Sequence, residues 1–129
     1  TSCGAGYTDN AKCDTAIDGL KNNLRDMIRT AKGFSGVRYV FVSTVTPGRP
    51  GPRMIDSARV VDGNNHIIAA VAAEGATLVD PYPAFLGNEN TYVGPDGLHL
   101  LPPGYQAVAQ TFYNKIVATV PQITPQFFR

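Results

Sequence analysis

The chain is expected to be an α/β protein with parallel strands, on three observations. Apolar residues recur at spacings of three and four from Asp14 onward and again from Met54 onward. A short β-branched run follows each of these stretches, at 37–45 and at 76–79. A third amphipathic stretch closes the chain, so the order is helix, strand, helix, strand, helix, the alternation that builds parallel sheets. At 129 residues the chain suits a single domain or part of one, and 43% hydrophobic residues are enough for a core. The formal net charge is +1 with no basic or acidic run, which argues against a nucleic-acid partner and against an electrostatically held membrane. The longest apolar run, 67–73, is too short to span a bilayer. No leader is visible, but a processed chain would have lost one.

Residues 1–12 are rich in Gly, Asn and Asp and are expected to form a loop. Cys3 and Cys13 flank it. A disulfide between them is the expectation, the alternative being two free thiols. A bridge over so short a loop would contribute roughly 2–3 kcal/mol before strain, and it would imply an oxidising compartment, secreted or periplasmic. The first helix carries Ile17, Leu20, Leu24, Met27, Ile28 and Ala31 on one face, with Asp14 or Thr15 to cap it and Gly33 to stop it. Residues 37–45 are apolar after Arg38, as in a strand covered on both faces. Ser43 and Thr44 fall at its C-terminal end, where open α/β sheets place ligands. Ser43 could be a nucleophile, but no Gly-x-Ser-x-Gly turn surrounds it, and an ordinary hydroxyl is the preferred reading.

Residues 46–52 hold three prolines and two glycines and form a rigid loop that could wall a cleft. Arg49 and Arg53 are expected to be solvated. The second helix spans 54–74 with a stripe of Ala58, Val61, Asn65, Ile68, Val71 and Ala72. Gly63 interrupts it and suggests a kink or close packing, Gly75 ends it, and His66 has no acidic partner at useful spacing. The strand 76–79 stops at Asp80, which is expected to cap the following turn rather than serve as a second carboxylate. One helical turn over 83–86 and a polar loop over 87–94 follow. The last helix presents Tyr105, Val108, Ala109, Phe112, Ile116, Val117 and Val120, and Pro121 ends it. Phe127 and Phe128 in the tail would pack back on the domain or on a partner.

One stretch carries chemistry: Gly94-Pro95-Asp96-Gly97-Leu98-His99, followed by Leu100-Leu101-Pro102-Pro103-Gly104-Tyr105. An aspartate three residues before a histidine, at a loop-to-helix junction, can form the base and orienter of a triad. The imidazole takes a proton and the carboxylate fixes its tautomer. No Gly-x-Gly-x-x-Gly follows a strand, no Walker loop is present and no metal-ligand cluster is evident, so neither cofactor nor metal is expected.

Asp96-Gly97-Leu98-His99, the Gly104-Tyr105 that follows and the terminal helix resemble the C-terminal block of the SGNH (GDSL) hydrolases. The strand ending Val79-Asp80 and the helix before it resemble the preceding elements of that fold. The resemblance implies a flavodoxin-like three-layer α/β/α architecture. It also implies a serine hydrolase acting on an ester, of esterase, lipase or carbohydrate-deacetylase type, with His99 as base and Asp96 as its partner. That family draws its serine from a Gly-Asp-Ser motif, and its oxyanion hole from that serine's N–H, a glycine and an asparagine, all upstream of the matched block. No Gly-Asp-Ser occurs here. Two strands are also few for a sheet and leave apolar edges unpaired. The expectation is therefore the C-terminal portion of a hydrolase, completed by its N-terminal half as a second chain. The alternatives are an inactive binding or structural module and a fragment that associates through its sheet edge.

Overall fold

The computed structural model describes residues 10–121. Cys3, Phe127 and Phe128 lie outside the described residues, so the expected disulfide and tail packing are not addressed by it. Within them the order is α1 (Asn10–Gly33), β1 (Phe41–Ser43), α2 (Ser57–Glu74), β2 (Thr77–Val79), α3 (Tyr82–Phe85), α4 (Glu89–Tyr92) and α5 (Pro102–Thr119). The strands pair in parallel, with Val42 opposite Leu78. No helix among the described residues is long and apolar enough to cross a membrane.

α1 begins at Asn10 rather than after Lys12. Its buried seam is narrow: Cys13, Ile17 and Ile28 are buried and Leu24 is half-buried. Their spacings of four and seven keep them on one line, whereas Met27, one residue off it, is 66% exposed. α2 starts at Ser57, not at Met54, because Asp56 caps it: its Oδ1 accepts from the N–H groups of Ala58 (2.9 Å) and Arg59 (3.4 Å). Gly75 closes it in the left-handed conformation, as expected. Two expectations about α2 fail. The helix runs unbroken through Gly63, and a Cβ there would meet nothing within 4 Å, so there is neither a kink nor close packing. The inward stripe is Val60, Asn64, Ile67, Ala70 and Val71, about one position round from the expected one. α2 carries two overlapping apolar stripes, and the one facing α1 and the sheet is the one that is buried.

Ile28, Ile67 and Val71 form the core, with Leu24, Val40, Val42, Ala76 and Leu78 packed against it. The even-numbered strand residues thus face α1 and α2, and alternation turns Tyr39, Phe41 and Val79 to the opposite face. There Val79 is fully buried, but Tyr39 and Phe41, stacked at 6.4 Å, remain partly open. The partners of α1 and α2 rise in step, so the two helices run in the same direction. Asp14 pairs with Arg59, Asp18 with His66, and Arg25 and Arg29 with Glu74, while Lys32 Nζ donates to the Glu74 carbonyl. These two guanidinium groups, Arg25 first, hold the Glu74 carboxyl below its ordinary range. His66 therefore does have acidic partners: Asp18 Oδ1 lies 3.2 Å from its Nε2, and Asp62 sits one turn back at 3.9 Å from Nδ1. Only the pair within one helix could have been read from spacing.

β1 is three residues long instead of nine. A strand is defined by its ladder, and among the described residues only β2 pairs with β1. The bonds Thr77 N–H to Val40 O (2.8 Å) and Thr44 N–H to Val79 O (3.0 Å) continue the ladder by one step at each end. Residues 87–94, expected to be a polar loop, contain α4 and the fully buried Val93. Phe85 and Tyr92 meet edge to face at 5.0 Å there, and this contact draws the segment onto the domain. α5 starts on Pro102, a residue suited to the first turn. Its expected apolar face is only partly covered: Val108, Phe112 and Val120 are half-buried, while Tyr105, Ala109, Ile116 and Val117 are exposed.

Candidate active site

The segment between α4 and α5 folds back on itself. Val93 and Leu100 form an antiparallel bridge, Gly94 N–H donates to His99 O at 2.6 Å, and Leu101 N–H donates to Tyr92 O at 2.8 Å. The tip is a turn in which Gly97 N–H donates to Gly94 O at 3.0 Å, and Gly97 holds a φ of 86°, open to glycine at little cost. Inside it the Asp96 carboxylate uses both oxygens. Oδ1 accepts from the backbone N–H groups of Leu98 (3.1 Å) and His99 (3.0 Å). Oδ2 lies 2.5 Å from Nδ1 of the His99 ring. The bond from His99, aided by the two backbone donors, lowers the Asp96 pKa from 3.8 to about 2.

A carboxylate that stays ionised selects the imidazole tautomer with its proton on Nδ1. Nε2 then carries the lone pair. It has no hydrogen-bonding partner among the described residues, and the His99 side chain is 62% exposed against 29% for Asp96. The arrangement is a tethered base with its accepting nitrogen open. The expected Asp96 and His99 pair is thus brought together. Ser43 is not joined to it: its hydroxyl donates to Thr44 O at 2.8 Å. Asp80 takes its expected capping role, accepting from Tyr82 N–H at 3.3 Å and from the buried Thr44 hydroxyl at 2.6 Å.

Two clefts flank the strand ends. One, of about 130 Å³, lies among Thr44, Val61, Asn64, Asn65, Ile68, Asp80 and Tyr82. A more open one of about 420 Å³ lies between β2 and α5, beside Leu78, Asp80 and Lys115. His99 lines neither. Among the described residues no group of three or more His, Cys, Asp or Glu side chains is placed to hold a metal ion.

Residues 46–53, which could have walled a cleft, line neither of these two and pack backbone to backbone on the turn that holds Asp96. Arg53 N–H donates to Asp96 O at 2.8 Å, although the Arg53 side chain is exposed as expected. Arg49 is not a solvated charge. It is half-buried, and its Nε donates to Gly94 O at 2.8 Å. No sequence signal marked this role, since an arginine in a Pro/Gly loop reads as surface. Asn64 was also passed over: its amide spans both backbone groups of Val45.

With this geometry in hand, the chain can be set beside known proteins. The model of the GDSL-like Lipase/Acylhydrolase family matches residues 4–107. No curated protein matches the chain. Among solved structures, the esterase domain of the ORF1 protein of the zebrafish ZfL2-1 retrotransposon is similar at a TM-score of 0.62 and 22% identity. That match covers 78% of this chain and 61% of the other. A putative GDSL-like lipase from Parabacteroides merdae is similar at 0.63 and 16% identity, over 77% of this chain and 49% of the other. An alpha/beta hydrolase enzyme from the metagenome of Lake Arreo, Spain, is similar at 0.60 and 22% identity, over 77% and 46%. At these identities the likeness is one of fold. The chain spans less than two thirds of the length of each structure.

Proposed function

This chain belongs to the GDSL-like lipase/acylhydrolase family, and on that premise we propose that it supplies the general base and the orienting carboxylate of a serine ester hydrolase. The observation that carries the reading is the 2.5 Å contact between Asp96 Oδ2 and His99 Nδ1, with Nε2 left open. In this mechanism Nε2 takes the proton of a serine hydroxyl as its oxygen attacks the ester carbonyl. The imidazolium, stabilised by Asp96, then returns the proton to the leaving alcohol. A water molecule repeats the sequence on the acyl-enzyme. The substrate class is a small ester or an acylated carbohydrate.

The serine and the oxyanion hole come from the N-terminal half of the same hydrolase, held as a second chain. Three features support this partner. β1 has a free edge among the described residues, the face with Tyr39 and Phe41 is partly open, and the apolar side of α5 is only half covered. A Cys3–Cys13 disulfide and a secreted or periplasmic setting belong to the same proposal.

The test is denaturing intact-mass analysis of the native protein after treatment with a fluorophosphonate serine probe. A second chain that carries the probe is expected, and labelling should be lost in Asp96→Asn, where the amide no longer selects the Nδ1–H tautomer. A single unlabelled species of 13.8 kDa would refute the two-chain hydrolase and leave a non-catalytic module of the same fold.

A further inference from the structure

We propose that Arg49 is a positioning residue for the Asp96–His99 pair, holding the backbone of the turn from which both side chains project. The proposal rests on the reading of that pair as base and orienter, but it is carried by separate contacts.

The turn's own hydrogen bonds close it locally, and residues 49–53 seat it on the rest of the domain. The His99 ring is largely exposed, and among the described residues its one polar side-chain contact is Asp96. The direction of the carboxylate therefore depends on the backbone at 94–97. Three of the four carbonyls of that turn receive donors from residues 49–53. Arg49 Nε donates to Gly94 O at 2.8 Å, Arg49 N–H to Gly97 O at 3.3 Å, and Arg53 N–H to Asp96 O at 2.8 Å. Arg49 Nη1 also donates to Asn90 O on α4 at 3.3 Å, so one guanidinium ties the turn to the element that precedes it.

The fit between loop and turn leaves no room for adjustment. A Cβ at Gly51 would lie 2.5–2.6 Å from Asp96 C, Asp96 O and Gly97 N, one at Gly48 would lie 2.6 Å from Gly97 O, and one at Gly97 would lie 2.5 Å from Arg49 O. Main chain meets main chain at each point, so a shift in residues 48–51 is passed directly to Asp96. Arg49 makes no ion pair among the described residues. Its charge strengthens bonds to neutral carbonyls instead, and its planar fork reaches two of them at once. A lysine offers its donors from one nitrogen and lacks the planar fork that spaces them toward two separate carbonyls.

The experiment reads the ring of His99 by long-range 1H–15N correlation at neutral pH, in the native protein and in Arg49→Met, which keeps the aliphatic stem and removes the donors. The native ring should show the proton on Nδ1. In Arg49→Met the Nδ1–H form should fall to the minor tautomer, because an untethered imidazole favours its proton on Nε2. The signals of His66 and the far-UV circular dichroism should not move, and Arg49→Lys should restore part of the preference. Should Arg49→Met fail to fold, Arg49→Gln, whose shorter amide keeps one donor group, is read in the same way and should fall between the two. A locked native ring that stays locked in these variants would overturn the role of Arg49 alone. A native ring without the Nδ1–H preference would overturn the Asp96–His99 pair itself.

Discussion

Replacing Asn64 by leucine should cost about 2 kcal/mol of folding stability. Asn64 is 6% exposed on the inner side of α2. Its Oδ1 accepts the Val45 N–H at 2.8 Å and its Nδ2 donates to Val45 O at 2.9 Å. One amide thus serves as an extra rung for a residue two positions past the end of β1, where β2 no longer pairs. Leucine keeps the branched heavy-atom skeleton and removes both bonds. Each is worth roughly 0.5–1.5 kcal/mol net, so the pair is worth about 1–3 kcal/mol. Val45 is 46% exposed as a residue, which limits the further penalty of stranded groups. Two kcal/mol is about a 30-fold change in the folded-to-unfolded ratio and about 6–10 °C in melting temperature for a chain of this size. Urea unfolding should show a lower midpoint with an unchanged slope. Asn64→Asp should be worse than leucine at neutral pH, because its carboxylate faces the Val45 carbonyl, and it should recover as that carboxylate is protonated. A leucine variant within about 0.5 kcal/mol of the native protein would refute the role assigned to the amide.

Gly63→Ala should stabilise the protein by about 0.5–1 kcal/mol, since α2 is regular there and the added methyl meets nothing; thermal unfolding checks it. Gly97→Ala should destabilise by roughly 1–3 kcal/mol, from the backbone conformation together with the contact to Arg49 O. It should also disturb the His99 ring signals. For acid unfolding the sign follows from a lowered carboxyl pKa. The contribution of Asp96 is complete above its ordinary value of 3.8 and is lost as pH falls toward about 2. Urea midpoints measured across that interval should fall more steeply in the native protein than in Asp96→Asn, and parallel curves would contradict the bond to His99.

The local features were legible because local chemistry sets them. The three-and-four spacing marked α1, α2 and α5, Gly75 marked a helix end, and Asp96 and His99 sit three residues apart in one turn; the Pro102-Pro103-Gly104 that reads as a corner is instead the first turn of α5. Asp80 was legible as a cap for the same reason. What could not be read depended on neighbours distant in sequence. β1 shrank to three residues because a strand exists only where a partner supplies its ladder. Which of two apolar stripes on α2 turned inward was decided by the seam of α1 and by the sheet. His66 found Asp18 on another helix, and Arg49 found the carbonyls of a turn 45 residues away. The sequence was enough for the three long helices and for the Asp96–His99 pair, because each rests on spacing within a few residues of chain, while the first residues of α1 and α2 and the whole of α4 were not read from it. Tertiary structure alone decided how that pair is held, because the hydrogen bonds and backbone contacts that orient it join segments that meet only once the sheet and α4 are in place.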